Sequence, residues 1–123
     1  MAAIYSRFMS RHDAKVTLAQ IDDAAEKIEM LCQGKTYEVF ASDWIEVMAL
    51  ERLFLILGEA VKRLPEDLIS DYPEVPWRKI ASTRDRLAHG YDEVEGVILW
   101  NAASLCVVEM RTTVRVMLDK LNA

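Results

Sequence analysis

The sequence is poor in cysteine, glycine, proline and histidine, and it contains no long apolar run. Among 123 residues there are two Cys, two His, three Pro and four Gly. Two scattered cysteines give neither a disulfide framework nor the ligand spacing of a zinc site, and we expect both to be buried free thiols. The longest strongly apolar run, 53–57, is too short to span a membrane. Residues 1–11 lack the apolar stretch of a signal peptide, so a cytoplasmic protein is predicted.

Positive charge is also scarce in this chain. The 15 Lys and Arg residues stand against 20 Asp and Glu residues, which gives a formal net charge of -5. That balance argues against tight, indiscriminate nucleic-acid binding, because such binding depends on neutralising many phosphates. It still allows a local basic site and a selected target.

Hydrophobic residues are abundant. They make up 52% of the chain, which is rich for a length that predicts one domain, 1–123. The excess predicts a surface that is buried against a partner, such as a second copy.

Helical periodicity dominates the apolar pattern. It predicts four main helices, at about residues 13–33, 42–64, 76–89 and 94–121. Ser10 and Ser42 are the expected N-caps of the first two, and Gly34 is expected to end the first. The connector 65–76 contains three prolines and has room for one helical turn. No segment shows strand alternation, so the predicted fold is an all-α antiparallel bundle of four to five helices.

The second predicted helix is the most apolar one. It is apolar on every side between residues 53 and 57, which predicts that it is either the central helix or one that carries an interface. Glu51 and Glu59 lie on it eight residues apart, roughly in line. They are either partners of Arg84 or Arg86, or ordinary solvated side chains.

The residue types that carry chemistry are concentrated in the segment 76–91. In an acidic protein its basic residues make a local positive site; they are Arg78, Lys79, Arg84 and Arg86, with Asp85 as the one acid among them. The planar guanidinium of Arg84 is suited to phosphate oxygens. Arg78, Lys79 and Arg86 are further candidates for RNA contact. Trp77 in this segment, like Trp100, is expected in the core.

His89 is the side chain in this segment that exchanges protons near neutral pH. Asp85 lies four residues earlier on the same helical face and would orient the imidazole. Gly90 would end the helix and let Tyr91 turn back toward the site. The residues alone leave other interpretations open: His89 as a cap of the helix dipole, Tyr91 as a packing residue, and the arginines as solvated charge.

Arg84 and His89 are five residues apart, about 140° around an ideal helix, so they do not share a face. Cleavage of RNA through its 2′-hydroxyl needs a base for that hydroxyl and an acid for the leaving 5′-oxygen. A two-fold dimer would bring two such histidines and two arginines to one cleft. The sequence offers no carboxylate cluster for a metal, and we expect no cofactor.

The segment from Arg84 to Tyr91 resembles R-x4-H-x-Y, the motif of the HepT family of HEPN toxins. Further matches occur in order along the chain: Ala49, Glu51, Arg52, residues 57–60, Pro76, Trp77, Ile80 and Trp100. The resemblance implies a helical bundle that forms a symmetric dimer, with the motif of each chain facing a shared cleft. It also implies a metal-independent endoribonuclease with Arg84 and His89 as the catalytic pair. Asp85 stands where relatives often have Asn.

The same resemblance implies a regulator. The family's antitoxin is a nucleotidyltransferase of the MntA kind, which transfers AMP to the motif tyrosine, here Tyr91. A nucleotide on Tyr91 would fill the cleft, add negative charge beside Arg84 and repel RNA.

Two alternatives remain open. One is a non-catalytic dimerisation and nucleotide-binding subunit of a nucleotidyltransferase complex. The other is a bundle that binds RNA or nucleotides without cleaving them. Toxicity that depends on His89 separates the toxin from the first of these, and binding without product marks the second.

Overall fold

The computed structural model describes residues 10–88 and 93–122. Its elements are α1 (Arg11–Cys32), α2 (Tyr37–Ala41), α3 (Trp44–Arg63), α4 (Glu66–Ile69), α5 (Trp77–Ala88), α6 (Glu93–Asn101), a π-helical turn (Ala102–Cys106) and α7 (Val107–Asn122). These described residues contain helices and no strand, which confirms the all-α helical bundle predicted from the sequence.

The start of α1 confirms the predicted cap. The Ser10 hydroxyl accepts a hydrogen bond from the Asp13 amide at 3.0 Å, and the Asp13 carboxylate accepts one from the Ser10 amide at 3.4 Å. This reciprocal pair is a capping box, which satisfies amides that the helix itself leaves free. The helix therefore begins at Arg11, two residues before the predicted start. Gly34, just beyond its end, has the expected positive φ of 71°.

The predicted N-cap of the second long helix is wrong by one residue. Asp43 caps α3, and its Oδ1 accepts hydrogen bonds from the amides of Ile45 and Glu46. Ser42 instead closes the preceding short helix, because its hydroxyl donates to the Val39 carbonyl at 2.7 Å. Ser and Asp are both favourable N-cap residues. Asp43 takes this role because the short helix that precedes α3 already uses Ser42 at its C-terminal end.

That preceding helix, α2, was not predicted. Its five residues are too few to show a periodic apolar stripe. Thr36 caps it, and its one buried residue, Phe40, packs on Trp100 with 4.9 Å between ring centroids. The predicted single turn in the proline-rich connector is present as α4.

The hydrophobic core is built around α1 and α3. α1 packs against α3 on one side and α7 on the other, and α3 packs in turn against α5. Residues of α1 that recur every three or four positions are fully buried: Ala14, Leu18, Ile21, Ala25 and Ile28. Each large apolar side chain buried in this way contributes about 1.5–3 kcal/mol. Trp77 and Trp100 are also in the core, as predicted.

The apolar stretch 53–57 is only partly buried within this chain. Phe54 and Leu57 are fully buried, but Ile56 is 40% exposed. At the start of α3 the side chains of Trp44 and Met48 are 70% and 59% exposed. α3 is thus a central helix that also leaves apolar surface uncovered within this chain.

The fourth predicted helix is continuous but not uniform. α6, the π-helical turn and α7 follow one another without a break, and the Ser104 hydroxyl donates to the Trp100 carbonyl in the π-helical turn. The stretch Gly96–Asn122 has the length and mean hydropathy of a membrane span. Its buried stripe belongs to the core, since α7 packs along α1.

The two cysteines are free thiols, as predicted, although each is half-buried rather than buried. Partial burial raises the pKa of Cys32 to about 11, with smaller effects from Lys35, which lowers it, and Glu46, which raises it.

Candidate active site

α5 carries the described part of the predicted site, and its first turns anchor it. Trp77 is buried, and its indole N–H donates to the Tyr72 carbonyl at 3.0 Å. Ile80 is fully buried one turn later, and the buried Thr83 hydroxyl donates to the Lys79 carbonyl. This buried face holds α5 against α3, so the next residue, Arg84, is placed on a rigid element.

Gly58 of α3 lies directly beneath Arg84. A Cβ atom at Gly58 would stand 2.3 Å from Arg84 Cβ and 3.0 Å from Arg84 Cγ, closer than non-bonded carbons approach. The missing side chain therefore lets the two helices meet at this point. The sequence marks Gly58 only as part of the family pattern at residues 57–60, and it gives no signal that this glycine faces Arg84.

The guanidinium of Arg84 is held loosely. Its Nε lies 3.5 Å from Glu59 Oε2, and its terminal nitrogen lies 3.4 Å from Asp85 Oδ1. Both distances are at the outer limit of a hydrogen bond. Among the described residues the buried Nε–H makes no hydrogen bond. Of the two interpretations of Glu59, pairing with Arg84 is the one observed, whereas Glu51 is partly buried, which raises its pKa.

Asp85 bridges two helices. Its Oδ1 accepts a hydrogen bond from Lys62 Nζ of α3 at 2.5 Å and a longer one from Arg84. The hydrogen bond from Lys62 is the main cause that holds the pKa of Asp85 below its ordinary value. The carboxylate is therefore ionised at neutral pH and helps to place Arg84. Its predicted contact with His89 is not tested by this geometry.

His89, Gly90 and Tyr91 lie outside the described residues, which resume at residue 93 after Ala88. Their predicted roles, including His89 as the second catalytic residue and Tyr91 as the AMP acceptor, therefore stay predictions.

The structure separates two of the predicted RNA contacts from Arg84. Arg78 and Lys79 line a groove of about 370 Å³ beside α4, and Arg78 pairs loosely with Glu66 at 3.4 Å. Arg86 is exposed in the last turn of α5. Arg84 itself lines a different groove, on the side of α5 that faces α1 and α3.

This second groove, which we call the arginine groove, has a volume of about 510 Å³. Its lining residues come from three helices: Gln20, Asp23, Arg52, Leu55, Ile56, Glu59, Arg63 and Arg84. Sequence reasoning missed Arg52 and Arg63 as site residues. Their spacing from Glu59, seven and four residues, was the available signal, because it places all three on one face of α3.

Comparison with known proteins points to one family. A protein of Thermococcus cleftensis named "Probable ribonuclease HepT" is 39% identical over 83 residues, 68% of this chain and 76% of the relative. A Methanocaldococcus jannaschii protein named "Putative RNase" is 36% identical over 93 residues, 76% of this chain and 77% of the relative. No solved structure gives a significant match. The profile of the family described as Ribonuclease HepT-like matches residues 21–117, and the chain belongs to this family.

Proposed function

We propose that this protein is the toxin of a toxin–antitoxin pair: a cytoplasmic, metal-independent endoribonuclease in which residues 1–123 form one HEPN domain. Membership of the HepT-like ribonuclease family supports RNA as the substrate. Relatives that are named as ribonucleases support cleavage of RNA phosphodiesters as the activity.

The observation that carries the proposal is the state of Arg84. Its side chain is 33% exposed, and its base lies against Gly58. Its buried Nε–H makes no hydrogen bond among the described residues. Its carboxylate contacts, at 3.4 and 3.5 Å, leave the exposed part of the guanidinium only loosely paired. A phosphate oxygen pair matches the guanidinium fork, so an RNA phosphodiester is a suitable ligand.

In the proposed reaction the 2′-hydroxyl loses its proton to His89 and attacks the adjacent phosphorus. The bond from phosphorus to the 5′-oxygen breaks, and that oxygen takes a proton from an imidazolium. The products are a 2′,3′-cyclic phosphate and a free 5′-hydroxyl. Arg84 stabilises the extra negative charge that develops on the phosphoryl oxygens. One His cannot act as base and acid at once, so we propose a symmetric homodimer in which the partner's copy supplies the other.

We propose that an MntA-like nucleotidyltransferase antitoxin transfers AMP to Tyr91 and so silences the site. The added phosphate would compete with RNA for the guanidinium of Arg84 and repel the RNA backbone. Intact mass after co-expression with such an enzyme should increase in AMP-sized steps in wild type and not in Tyr91→Phe.

The central test is cleavage of an end-labelled RNA in the presence of EDTA. We expect His89→Ala to abolish cleavage and growth arrest, and Arg84→Gln to slow cleavage by about 10²–10³-fold. Arg115→Gln is the matched control, since Arg115 is exposed on α7 and away from the arginine groove. Full cleavage by His89→Ala, or no cleavage by wild type, would contradict the proposal.

One observation favours the non-catalytic subunit as a second candidate. Val39, Trp44, Ile45 and Met48 lie close together in sequence on α2 and α3 and are 57–70% exposed. Exposed apolar surface of this kind is typical of interaction sites. A protein that binds the nucleotidyltransferase and shows no toxicity that depends on His89 would establish this candidate instead.

A further inference from the structure

The arginine groove contains positive charge that the fold does not neutralise. Among the described residues Arg52 has no carboxylate within ion-pair distance, and Arg63 donates to the neutral Gln20 side chain at 2.7 Å. The groove's two acids have other partners, because Asp23 pairs with Lys27 and Glu59 with Arg84. In a chain of net charge -5, exposed cations left free at one place attract an anion there.

The spacing of these cations favours an extended anion. Arg52 and Arg63 are eleven residues apart on α3, which places them about 16 Å apart along the helix axis. Arg84 lines the same groove from α5. One phosphate group cannot bridge that distance, whereas a chain of phosphates can.

The floor of the groove between Arg52 and Glu59 is apolar. Leu55 is half-buried and Ile56 is 40% exposed, and both line the groove. A floor of this kind offers contact to the flat faces of unpaired bases, while cations along the edge follow the backbone. Alternation of charge and apolar surface is the arrangement by which proteins bind single strands without reading their sequence.

We propose that the arginine groove binds the single-stranded RNA that flanks the cleaved phosphodiester, with Arg52 and Arg63 on its phosphates and Leu55 and Ile56 beneath its bases. This inference rests on the proposed function, because it treats Arg84 as the point where the groove meets the reacting phosphate. It gives the acidic protein a local route to RNA binding.

The test measures RNA binding without cleavage, in the full chain carrying His89→Ala. The probe is a fluorescein-labelled RNA of roughly 12 nucleotides and mixed sequence, followed by anisotropy between about 50 and 200 mM salt. The test variant adds Arg52→Gln and Arg63→Gln. The matched control adds Arg115→Gln and Lys120→Gln, which remove the same charge from exposed positions on α7.

We expect the test variant to bind about tenfold more weakly than the His89→Ala parent. The slope of log affinity against log salt should become shallower by about 1.4, because two phosphate contacts on a single strand are lost. The control should keep the parent's slope. Equal slopes in test variant and control would overturn the proposal.

Two further outcomes separate this inference from the proposed function. If groove arginines control RNA binding but wild type cleaves nothing, the groove stands and the endoribonuclease proposal fails. If wild type cleaves RNA and Arg52→Gln/Arg63→Gln cleaves it with unchanged kinetics, the endoribonuclease proposal stands and the groove proposal fails. Sedimentation equilibrium provides a last check: conversion of a dimer to a monomer by the test variant would make the groove an interface between copies and overturn its assignment to RNA.

Discussion

Arg111 and Arg84 are two of the arginines that connect helices in the described part of this molecule, and their surroundings differ. Arg111 on α7 contacts three carboxylates of α1, those of Asp22, Glu26 and Glu29, at 3.0–3.2 Å. Arg84 on α5 has its carboxylate contacts at 3.4 and 3.5 Å and keeps a donor without a hydrogen bond among the described residues. An arginine with several short carboxylate contacts holds helices together, whereas a partly exposed arginine with only long contacts is available to a ligand.

The ionisation of Arg111 fits this structural role. Partial burial acts to lower its pKa, but the hydrogen bonds that it donates to Glu29 and Asp22 outweigh that effect, and the pKa is raised. Arg115 adds a second contact to Asp22 at 3.2 Å. The contact between α1 and α7, which we call the closed seam, is therefore a network of close ion pairs. The contact between α3 and α5, which we call the open seam, leaves Arg84 only loosely paired.

The largest effect on stability is expected at Gly58, where the open seam leaves no room for a side chain. Gly58→Ala would place a methyl group against Arg84, so we expect the free energy of unfolding to fall by about 1–3 kcal/mol and cleavage to be lost. Urea denaturation checks the stability. Helix propensity alone predicts the opposite sign, since alanine favours a helix by about 1 kcal/mol over glycine. A variant as stable as wild type, or more stable, would show that α3 and α5 do not meet closely here.

The closed seam should be next in sensitivity. Arg111→Met leaves three carboxylates of α1 without their shared partner, so we expect Tm at pH 7 to fall by roughly 5 °C. The loss should shrink in about 1 M salt, because screening weakens the repulsion among the three carboxylates. Thermal unfolding followed by circular dichroism at low and at high salt measures this. A loss of equal size at both would point to packing rather than charge.

Arg84→Met makes the comparison direct, because it is the same substitution in the open seam. Both carboxylate partners of Arg84 are about half-exposed and their contacts are long, so we expect a change in unfolding free energy within about 0.5 kcal/mol. RNA cleavage should nevertheless be lost. If Arg84→Met costs as much stability as Arg111→Met, the distinction between a structural and a ligand-binding arginine is wrong.

The smallest effect concerns Asp85. Its pKa is lower in the folded protein, so its bridge to Lys62 stabilises the fold above the ordinary carboxyl pKa, and this contribution is lost as pH falls through the lowered value. Asp85→Asn should therefore be slightly less stable than wild type at pH 7, and the difference should shrink as the pH is lowered below the ordinary carboxyl pKa. Chemical denaturation over this pH range tests this, with Asp119→Asn, an exposed position on α7, as the control.

Much of the fold follows from local rules. Helical periodicity and caps such as Ser10 predict helices whose apolar stripe extends over many residues. The long helices lie where these signals predict them. Short elements escape such rules, which is why α2 was missed and Ser42 was assigned the role of Asp43. Which side of a helix stays uncovered depends on its neighbours in space, so the exposure of Ile56 was not predictable from its apolar surroundings in the sequence.

The candidate site is predictable only in its residue types. The motif marks Arg84 and Asp85, but the approach that positions Arg84 depends on Gly58, twenty-six residues earlier on another helix. Arg52 and Arg63 became candidates only when the groove showed which arginines lack an acidic partner among the described residues. Spatial convergence of this kind depends on tertiary packing.

The π-helical turn Ala102–Cys106 sets the orientation of the C-terminal helix, α7. A turn of π-helix contains about one residue more than an α-turn, so every side chain after it is rotated by about 100° from the phase of an uninterrupted helix. One continuous rod can therefore present Trp100 to Phe40 of α2 and then Met110 and Val114 to the core shared with α1. The extra residue of the π-helical turn therefore changes which face of α7 meets the core. A change of one residue in length there would reorient the whole of α7 rather than a single side chain.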